Sequence, residues 1–206
     1  GEGWVRFRDD DEAWVAIITG AGDKAFCAGA DLKETTLIRT GQIAPIRRRF
    51  QLPGPLCETI NLWKPTIAAI NGYTIAGGWG VAQQCDIRIA AEDAQFGVPE
   101  MGLGIIPAAG GTQTLPRVIG RSSALEMLLS SRWVKAEEAR RLKLVNQVVP
   151  RSDLWPAAER LAQRIKAFHP LAVSQVKRAI TGGLDLSLEQ GLELEARLGK
   201  RLLTLL

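Results

Sequence analysis

The sequence predicts an α/β protein in which a core of buried parallel strands is followed by a helical C-terminal third. Short apolar runs bounded by glycine or polar residues occur at residues 14–20, 66–70 and 87–91. Runs of this length are typical of strands that a parallel sheet buries on both faces. In the last third, apolar residues instead recur every three or four positions, as at Leu154 and Ala158. That spacing is typical of amphipathic helices.

The elements follow one another with few ambiguous stretches. After the first strand, Asp31 can accept hydrogen bonds from the first turn of a helix that contains Lys33 and Glu34. Residues 35–55 combine glycines and prolines without an apolar period, which predicts a mobile loop or a broken helix. The helices of the C-terminal third are predicted at residues 123–130, 136–142, 153–167, 170–180 and 186–206.

Composition describes an ordinary globular domain. The 206 residues are enough to bury one substantial core, and 46% of them are hydrophobic. The net charge is only +4, and the densest basic run, residues 47–49, is interpreted as a solvated face or, alternatively, as a phosphate contact. No apolar run approaches the roughly 20 residues that span a bilayer. Neither a nucleic-acid partner nor a membrane partner is therefore predicted.

The three cysteines, Cys27, Cys57 and Cys85, are widely spaced and form no C-x-x-C pair. An odd number of isolated cysteines predicts neither a disulfide framework nor a zinc site, and it fits a reducing compartment. We therefore expect a cytoplasmic protein, or one from an organelle matrix if a targeting segment has been removed.

Two familiar motifs are excluded by their context. Residues 20–25 (GAGDKA) match G-x-G-x-x-A, but Gly29 interrupts the helix that should follow, and residues 39–42 (RTGQ) lack the ribose-binding acid. A tight turn explains these glycines. His169, the single histidine, precedes Pro170 between two predicted helices, so neither a Ser-His-Asp triad nor a metal site is predicted.

Two segments of small residues are candidates for binding an anion. Residues 76–78 (AGG) open a predicted helix, where glycines let a ligand oxygen approach backbone N–H groups at the positive end of the helix dipole. Tight packing of the helix against a strand would explain the same residues. Residues 28–30 (AGA) form a second such segment at the start of another helix. Because two N–H clusters together can hold one oxyanion, the pair predicts a site for carbonyl activation.

Glu100 is the candidate for proton transfer. Burial raises the pKa of a carboxyl, so that the group can take up and release protons near neutral pH. A surface loop acid is the alternative interpretation. Burial is favoured by the apolar neighbours of Glu100 in the sequence, which are Phe96, Val98, Met101 and Leu103.

In combination these segments resemble the crotonase (enoyl-CoA hydratase/isomerase) superfamily. The resemblance covers most of residues 14–150, and the combined motifs are specific to the fold rather than to one reaction. It is carried by residues 22–33 (GDKAFCAGADLK), 64–72 (KPTIAAING), 76–78 (AGG), 85–88 (CDIR), 96–100 (FGVPE), 110–113 (GGTQ), 115–121 (LPRVIGR) and 144–150 (LVNQVVP).

The resemblance implies a crotonase-like ββα superhelix over residues 1–150, with the family's first strands apparently missing, and a helical C-terminal region over residues 151–206. It also implies trimers or dimers of trimers and an acyl-CoA thioester substrate, with coenzyme A as part of the substrate rather than a separate cofactor. The family's catalytic positions fall on Glu100 and on the N–H groups of Ala30 and Gly77. Its substrate-binding positions fall on Ala28, Ala30, Asp31, Leu32, Lys33 and Gly77.

One departure from the family pattern concerns the chemistry. Hydratases of the family usually carry two glutamates that hold the added water; the second falls on Glu100, but the first falls on Gly80. No acid occupies residues 108–109 (AA), where some relatives place an alternative. Ala76 and Lys143 also replace glycines of the family, and these two changes are expected to concern packing.

These residues favour an enoyl-CoA hydratase-like enzyme, a lyase, that works through an oxyanion-stabilised enolate. The first alternative is a Δ3,Δ2-enoyl-CoA isomerase using Glu100 alone, because an oxyanion site and one base are the minimum for moving a proton between C2 and C4. The second is a non-catalytic acyl-CoA-binding homologue. Trp79, beside the glycine turn, is expected to narrow the acyl pocket.

Overall fold

Two four-stranded sheets form the centre of the molecule, in a computed structural model that describes residues 2–42, 60–108 and 110–205. The first sheet has the strand order β1-β3-β5-β8 and is parallel throughout. The second has the order β2-β4-β6-β7, with only the last pair antiparallel. The strands are β1 (Ala16–Thr19), β2 (Ala25–Cys27), β3 (Thr66–Ile70), β4 (Tyr73–Ile75), β5 (Ile87–Ala91), β6 (Gln95–Gly97), β7 (Val134–Lys135) and β8 (Gln147–Val149).

Helices cover the sheets and continue to the end of the chain. One short 3₁₀ helix, Pro99–Leu103, follows β6, and another, Arg151–Asp153, follows β8. The α-helices are α1 (Glu2–Asp9), α2 (Leu32–Arg39), α3 (Gly77–Gln84), α4 (Gly111–Ile119), α5 (Arg121–Ser130), α6 (Ala136–Arg141), α7 (Leu154–Lys166), α8 (Pro170–Gly183) and α9 (Leu188–Leu205).

The central strand β3 is buried on both faces, which explains its unbroken apolar sequence. Side chains of a strand alternate between the two faces of its sheet. Ile67 and Ala69 therefore pack with α7, whereas Ala68 and Ile70 belong to the larger core that includes residues of the second sheet and α3. All four side chains have no exposed surface.

The chain repeats one unit three times: a strand of the first sheet, a strand of the second sheet, then a helix. The units are β1-β2-α2, β3-β4-α3 and β5-β6 followed by the 3₁₀ helix and α4. The change of sheet inside the second unit falls at residues 71–72 (NG). This repetition confirms the predicted α/β class with a ββα superhelix and a helical C-terminal region.

Most predicted elements are found within a few residues of their expected bounds. The strands at residues 66–70 and 87–91 are confirmed without change, and the first strand is shorter than residues 14–20. The helix after Asp31 is confirmed. Residues 35–39 of the loop or broken helix predicted over residues 35–55 belong to α2. Residues 43–55 of that segment, including the basic run, lie outside the described residues. The strands of the second sheet were not predicted, because none exceeds three residues.

Two cysteines of the described residues, Cys27 and Cys85, carry free thiols. Burial raises the pKa of the Cys85 thiol to about 12, so it stays protonated near neutral pH. In the same ranges of the chain, no three His, Cys, Asp or Glu side chains group closely enough to hold a metal ion. No helix there is long and apolar enough to cross a membrane.

Candidate active site

Three adjacent parallel strands, β2, β4 and β6, end at the same edge of the second sheet. The register pairs Cys27 with Thr74 in β2 and β4, and Ile75 with Gly97 in β4 and β6. Residues that follow the carboxyl ends of neighbouring parallel strands lie close together. The structure therefore brings to one edge the segments that contain the three predicted catalytic residues, Ala30, Gly77 and Glu100.

The two candidate N–H segments are in direct contact. Gly29 has a φ of +87°, which favours glycine, and a Cβ there would lie 3.1 Å from the carbonyl oxygen of Ile75. The same Cβ would lie 3.4 Å from the backbone nitrogen of Gly77. Residues 28–30 therefore pack against the start of α3 with backbone against backbone.

The backbone N–H groups of Ala30 and Gly77 donate no hydrogen bond to any described part of the chain. Gly77 is the first residue of α3, where an N–H has no partner within the helix. The helix dipole adds positive potential at this point. Two such N–H groups on touching segments are the arrangement that can hold a carbonyl oxygen as it gains negative charge.

The residue before Gly77 has an unusual backbone conformation. Ala76 has φ 51° and ψ −121°, a region that side chains with a Cβ rarely adopt. Its N–H donates a hydrogen bond to the carbonyl oxygen of Gly97 over 2.9 Å. Lys143 also has a positive φ, 67°. The two departures from the family's glycines thus concern backbone conformation, and the expectation that they concern packing needs this correction.

Helix α3 is held close to β2 by its second residue. A Cβ on Gly78 would lie 1.9 Å from the carbonyl oxygen of Cys27, so a side chain at this position would push the helix away. The next residue, Trp79, is 1% exposed and meets the ring of Phe96 edge-on at 6.2 Å. The indole is therefore part of the core, contrary to the expectation that it narrows an acyl pocket.

Glu100 is buried, as the apolar sequence around it predicted, and the surface-loop alternative is wrong. It lies in the 3₁₀ helix after β6, is 9% exposed, and its Oε2 atom has no hydrogen-bond partner among the described residues. Burial raises the pKa of its carboxyl, and a hydrogen bond with its own backbone opposes this shift. Gly80 is also buried, within α3, so no carboxylate stands at the position of the family's first glutamate.

The start of α2 is capped by Asp31. Its Oδ1 atom accepts hydrogen bonds from the N–H groups of Lys33 at 2.7 Å and Glu34 at 3.3 Å. Leu32 is 60% exposed beside them. Asp31 thus shapes the turn that carries Ala30, while the contacts of Ala28 and residues 31–33 with a substrate stay a prediction.

The hydrogen-bonded pair of Gln83 and Thr114, one helical turn from Gly80, was not predicted from the sequence. The Thr114 hydroxyl of α4 is hydrogen-bonded to the side-chain amide of Gln83 and lies 2.8 Å from the carbonyl oxygen of Gly110. The interaction joins α3 to the glycine turn at the start of α4. The sequence does show that Gly80 and Gln83 are three residues apart, a spacing that makes them neighbours on the surface of one helix.

A parallel ββα core with two touching N–H segments and one buried carboxylate at a single sheet edge defines a crotonase-fold protein. A sequence model of the enoyl-CoA hydratase/isomerase family matches residues 2–204. The chain belongs to this family.

Relatives of known name support the same assignment. The chain is 41% identical over 189 residues to (E)-benzylidenesuccinyl-CoA hydratase of Thauera aromatica, covering 92% of this chain and 73% of that protein. It is 40% identical over 190 residues to the short-chain-enoyl-CoA hydratase of Clostridium acetobutylicum, covering 91% and 71%. The crystal structure of enoyl-CoA hydratase from Bacillus anthracis superimposes with a TM-score of 0.89 at 40% identity, over 97% of this chain and 76% of that one.

Proposed function

We propose that this protein is a hydratase-like enzyme that acts on the thioester group of an enoyl-CoA. The observation that carries the proposal is the contact between residues 28–30 and the start of α3, at the sheet edge where Glu100 follows β6. The relatives named as hydratases of CoA thioesters support the same class of substrate. No separate cofactor enters the proposed reaction, because coenzyme A is part of the substrate.

The N–H groups of Ala30 and Gly77 act on the thioester oxygen. When water adds to C3 of a 2-enoyl thioester, the C2=C3 electron pair moves toward the carbonyl, and negative charge develops on its oxygen. Two donors that the fold holds in place before the reaction stabilise the enolate more than the neutral substrate. Removal of one such donor typically lowers kcat by about 10²–10³-fold.

Glu100 moves the protons. As the water oxygen bonds to C3, the carboxylate takes a proton from that water, and the carboxyl then returns a proton to C2 of the enolate. The product has gained one water molecule, and Glu100 has returned to its starting form. The raised pKa of this carboxyl suits both steps, because a group that titrates closer to neutral pH accepts and releases protons readily.

Buried Gly80 favours one alternative, a Δ3,Δ2-enoyl-CoA isomerase. Without a second carboxylate to hold water, Glu100 can remove a proton from C2 of a 3-enoyl thioester and return it at C4. The same two N–H groups then stabilise the oxygen of the dienolate that forms, and no water is consumed. Hydration adds water across the C2=C3 bond of a 2-enoyl thioester, whereas isomerisation moves one proton of a 3-enoyl thioester from C2 to C4.

Mass spectrometry of the thioesters after incubation with the protein in D₂O separates these reactions. Addition of one D₂O to a 2-enoyl-CoA is the result expected for the proposed hydratase. Deuterium incorporation without addition, starting from either double-bond isomer, would indicate the isomerase. Recovery of both substrates unchanged would overturn the proposal and leave a homologue that binds acyl-CoA without catalysis.

For its assembly we propose a trimer or a dimer of trimers. Support comes from large apolar side chains that α8, α9 and the turn between them leave exposed to solvent, which in a stable monomer would be unfavourable as a continuous patch. Sedimentation equilibrium gives the mass directly, and a monomer would contradict this proposal. The exposed residues include Val176, Ile180, Leu184, Leu188 and Leu192.

A further inference from the structure

A set of hydrogen bonds joins the starts of β2 and β4, the two strands whose far ends lead to Ala30 and Gly77. We propose that Asn71 and Arg151 are positioning residues that set the register of β2 against β4 and thereby place the two N–H groups. We call this pair the Asn71–Arg151 clamp. Its effect on turnover rests on the function proposed above, whereas its effect on the geometry does not.

Asn71 uses its whole side chain to hold the segment before β2. Its Oδ1 atom accepts the N–H of Gly20 at 3.0 Å, and its Nδ2 atom donates to the carbonyl oxygens of Gly20 at 3.0 Å and Gly22 at 2.9 Å. Asn71 is 8% exposed. Hydrogen bonds in so buried a place resist exchange with water, so they fix the segment firmly.

Arg151 hydrogen-bonds both to the segment before β2 and to the segment before β4. One guanidinium nitrogen, Nη1, donates to the carbonyl oxygen of Asp23 at 2.9 Å and to that of Asn71 at 2.8 Å. The Nε and Nη2 atoms donate to Oδ2 of Asp93 at 2.9 and 2.6 Å. The guanidinium thus pairs with one carboxylate through Nε and Nη2, while Nη1 separately bridges the approaches to β2 and β4.

The backbones between these contacts lie unusually close. Tyr73 donates its N–H to the carbonyl oxygen of Lys24 at 3.1 Å, and a Cβ on Gly72 would lie 2.2 Å from that oxygen. Only glycine allows this approach. The clamp and the glycine together therefore define one relative position for the starts of the two strands.

Register at the start of the strands determines geometry at their far ends. Three residues of β2, Ala25 to Cys27, lie opposite two of β4, because the pairing shifts between Ala25 and Cys27. Such a bulge is a place where register can change. Ala30 and Gly77 each follow a paired residue, Cys27 or Thr74, by three positions. A slip of one residue would displace one N–H relative to the other by about 3.3 Å.

The test uses Arg151→Met with Asp93→Asn as the matched control. Both substitutions remove the ion pair between Arg151 and Asp93, but only the first removes the bridge to the carbonyl oxygens of Asp23 and Asn71. Arg151 is partly exposed, so we expect both variants to fold. Arg151→Lys is the second variant, because a lysine keeps the charge but not the planar fork.

Turnover of enoyl-CoA should respond to the bridge and not to the ion pair. We expect Arg151→Met to lower kcat by about 100-fold, the effect of a misplacement near 1 Å, with KM little changed. Asp93→Asn should stay close to wild type and Arg151→Lys should fall between them. The infrared carbonyl stretch of bound butyryl-CoA, which cannot be hydrated, should move back toward its value in water in Arg151→Met alone.

Crystal structures of the ligand-free variants test the clamp without any substrate. The separation of the Ala30 and Gly77 nitrogen atoms should change in Arg151→Met and stay as in the wild type in Asp93→Asn. An unchanged separation in Arg151→Met would overturn the inference, as would equal losses of kcat in the two variants. A wild-type protein inactive on every enoyl-CoA would refute the proposed function instead, while the crystallographic result would still decide the clamp.

Discussion

The two halves of the candidate site are built in different ways. The half that would hold the thioester oxygen consists of backbone N–H groups, at Ala30 and Gly77, placed by strand register and by contact with Gly29. The half that would move protons consists of one side chain, Glu100, with Gly80 where the family usually has a second carboxylate. A substitution can delete a carboxylate outright, whereas a backbone N–H survives almost any substitution.

This difference indicates that polarisation of the thioester should tolerate substitutions better than proton transfer does. If the proposed role of the two N–H groups is right, the ability to polarise a thioester depends on the strand register and the glycines rather than on particular side chains. Proton transfer instead depends on a few side chains and changes with each of them. Variants in the two halves should therefore fail in different ways.

Glu100→Gln should cause the largest loss. The amide has nearly the same size but cannot take a proton from water, and loss of a positioned proton-transfer group typically costs 10²–10⁴-fold in rate. We expect kcat for hydration or isomerisation to fall by about that factor, with little change in the affinity for butyryl-CoA. Steady-state kinetics and equilibrium binding measure the two quantities.

The matched control for that variant is Glu92→Gln, which changes an exposed glutamate after β5. It should leave both quantities unaltered. Turnover that persists in Glu100→Gln would show that another group moves the proton, and the alternative acid would then have to be sought.

Gly29→Ala should damage the oxyanion half without touching Glu100. The new methyl group would lie 3.1 Å from both Ile75 O and the Cβ of Ala76, at a φ of +87° that alanine disfavours. We expect the two segments to move apart and kcat to fall about 100-fold. Because the thioester carbonyl is then less polarised, its infrared stretch in bound butyryl-CoA should shift toward the value in water.

Gly41→Ala is the control for Gly29→Ala, because it introduces backbone strain without changing the contact between residues 28–30 and α3. Gly41 has a similar φ, +71°, but among the described residues no atom lies within 4 Å of where its Cβ would stand. This variant should lose stability and retain kcat. If Gly29→Ala kept the wild-type kcat and the wild-type carbonyl stretch of bound butyryl-CoA, the contact of residues 28–30 with α3 would be irrelevant to catalysis.

Local sequence was enough to predict the parts of this molecule that depend on local physics. The buried strand β3 appears as a continuous apolar run, and α2 begins after a residue, Asp31, whose oxygen caps it. The small-residue segments and the acid with apolar neighbours were likewise visible. A common site was predicted from the pairing of the two small-residue segments and from the family resemblance. The sheet edge that forms it was not predicted, since the strands that lead to it have only three residues each.

Contacts between distant residues could not be predicted in this way. Arg151 lies 80 residues from Asn71 and 128 from Asp23, yet it bonds to both backbones. Nothing in its own neighbourhood distinguishes it from a solvated arginine. The positive φ of Ala76 was hidden for the opposite reason, because alanine is a poor indicator of a conformation that glycine prefers.

Ala76→Gly should strengthen the oxyanion half by removing its backbone strain. A residue held in a region that only glycine adopts easily costs on the order of 1–3 kcal/mol, and the greater freedom of glycine in the unfolded chain offsets part of this. We expect a net gain of about 1 kcal/mol in the free energy of unfolding, measured as a higher urea midpoint at constant slope.

Lys143→Gly is the control for the gain in stability expected from Ala76→Gly. Lys143 has a φ of 67° in an exposed turn before β8 of the first sheet, so its replacement should stabilise less and leave kinetics unchanged. Equal gains at the two positions would show that the strain at Ala76 is the ordinary cost of a left-handed residue.

The proton-transfer half should give the smallest effect, a pH-dependent difference in stability between Glu100→Gln and wild type. An unfolded glutamate has a pKa of about 4.3, and burial raises the pKa of Glu100 in the folded protein. The folded protein therefore binds more protons than the unfolded chain between these two values, and wild-type stability falls as the pH rises through that window. Below about pH 4.3 the carboxyl is protonated in both states, and its pH-dependent contribution to stability vanishes.

Since the amide cannot ionise, Glu100→Gln should unfold at a higher urea concentration than wild type at pH 8, and the difference should shrink as the pH approaches 4. A difference independent of pH would mean that the Glu100 carboxylate is not destabilised by burial, and the physical reason for assigning it proton transfer near neutral pH would be lost.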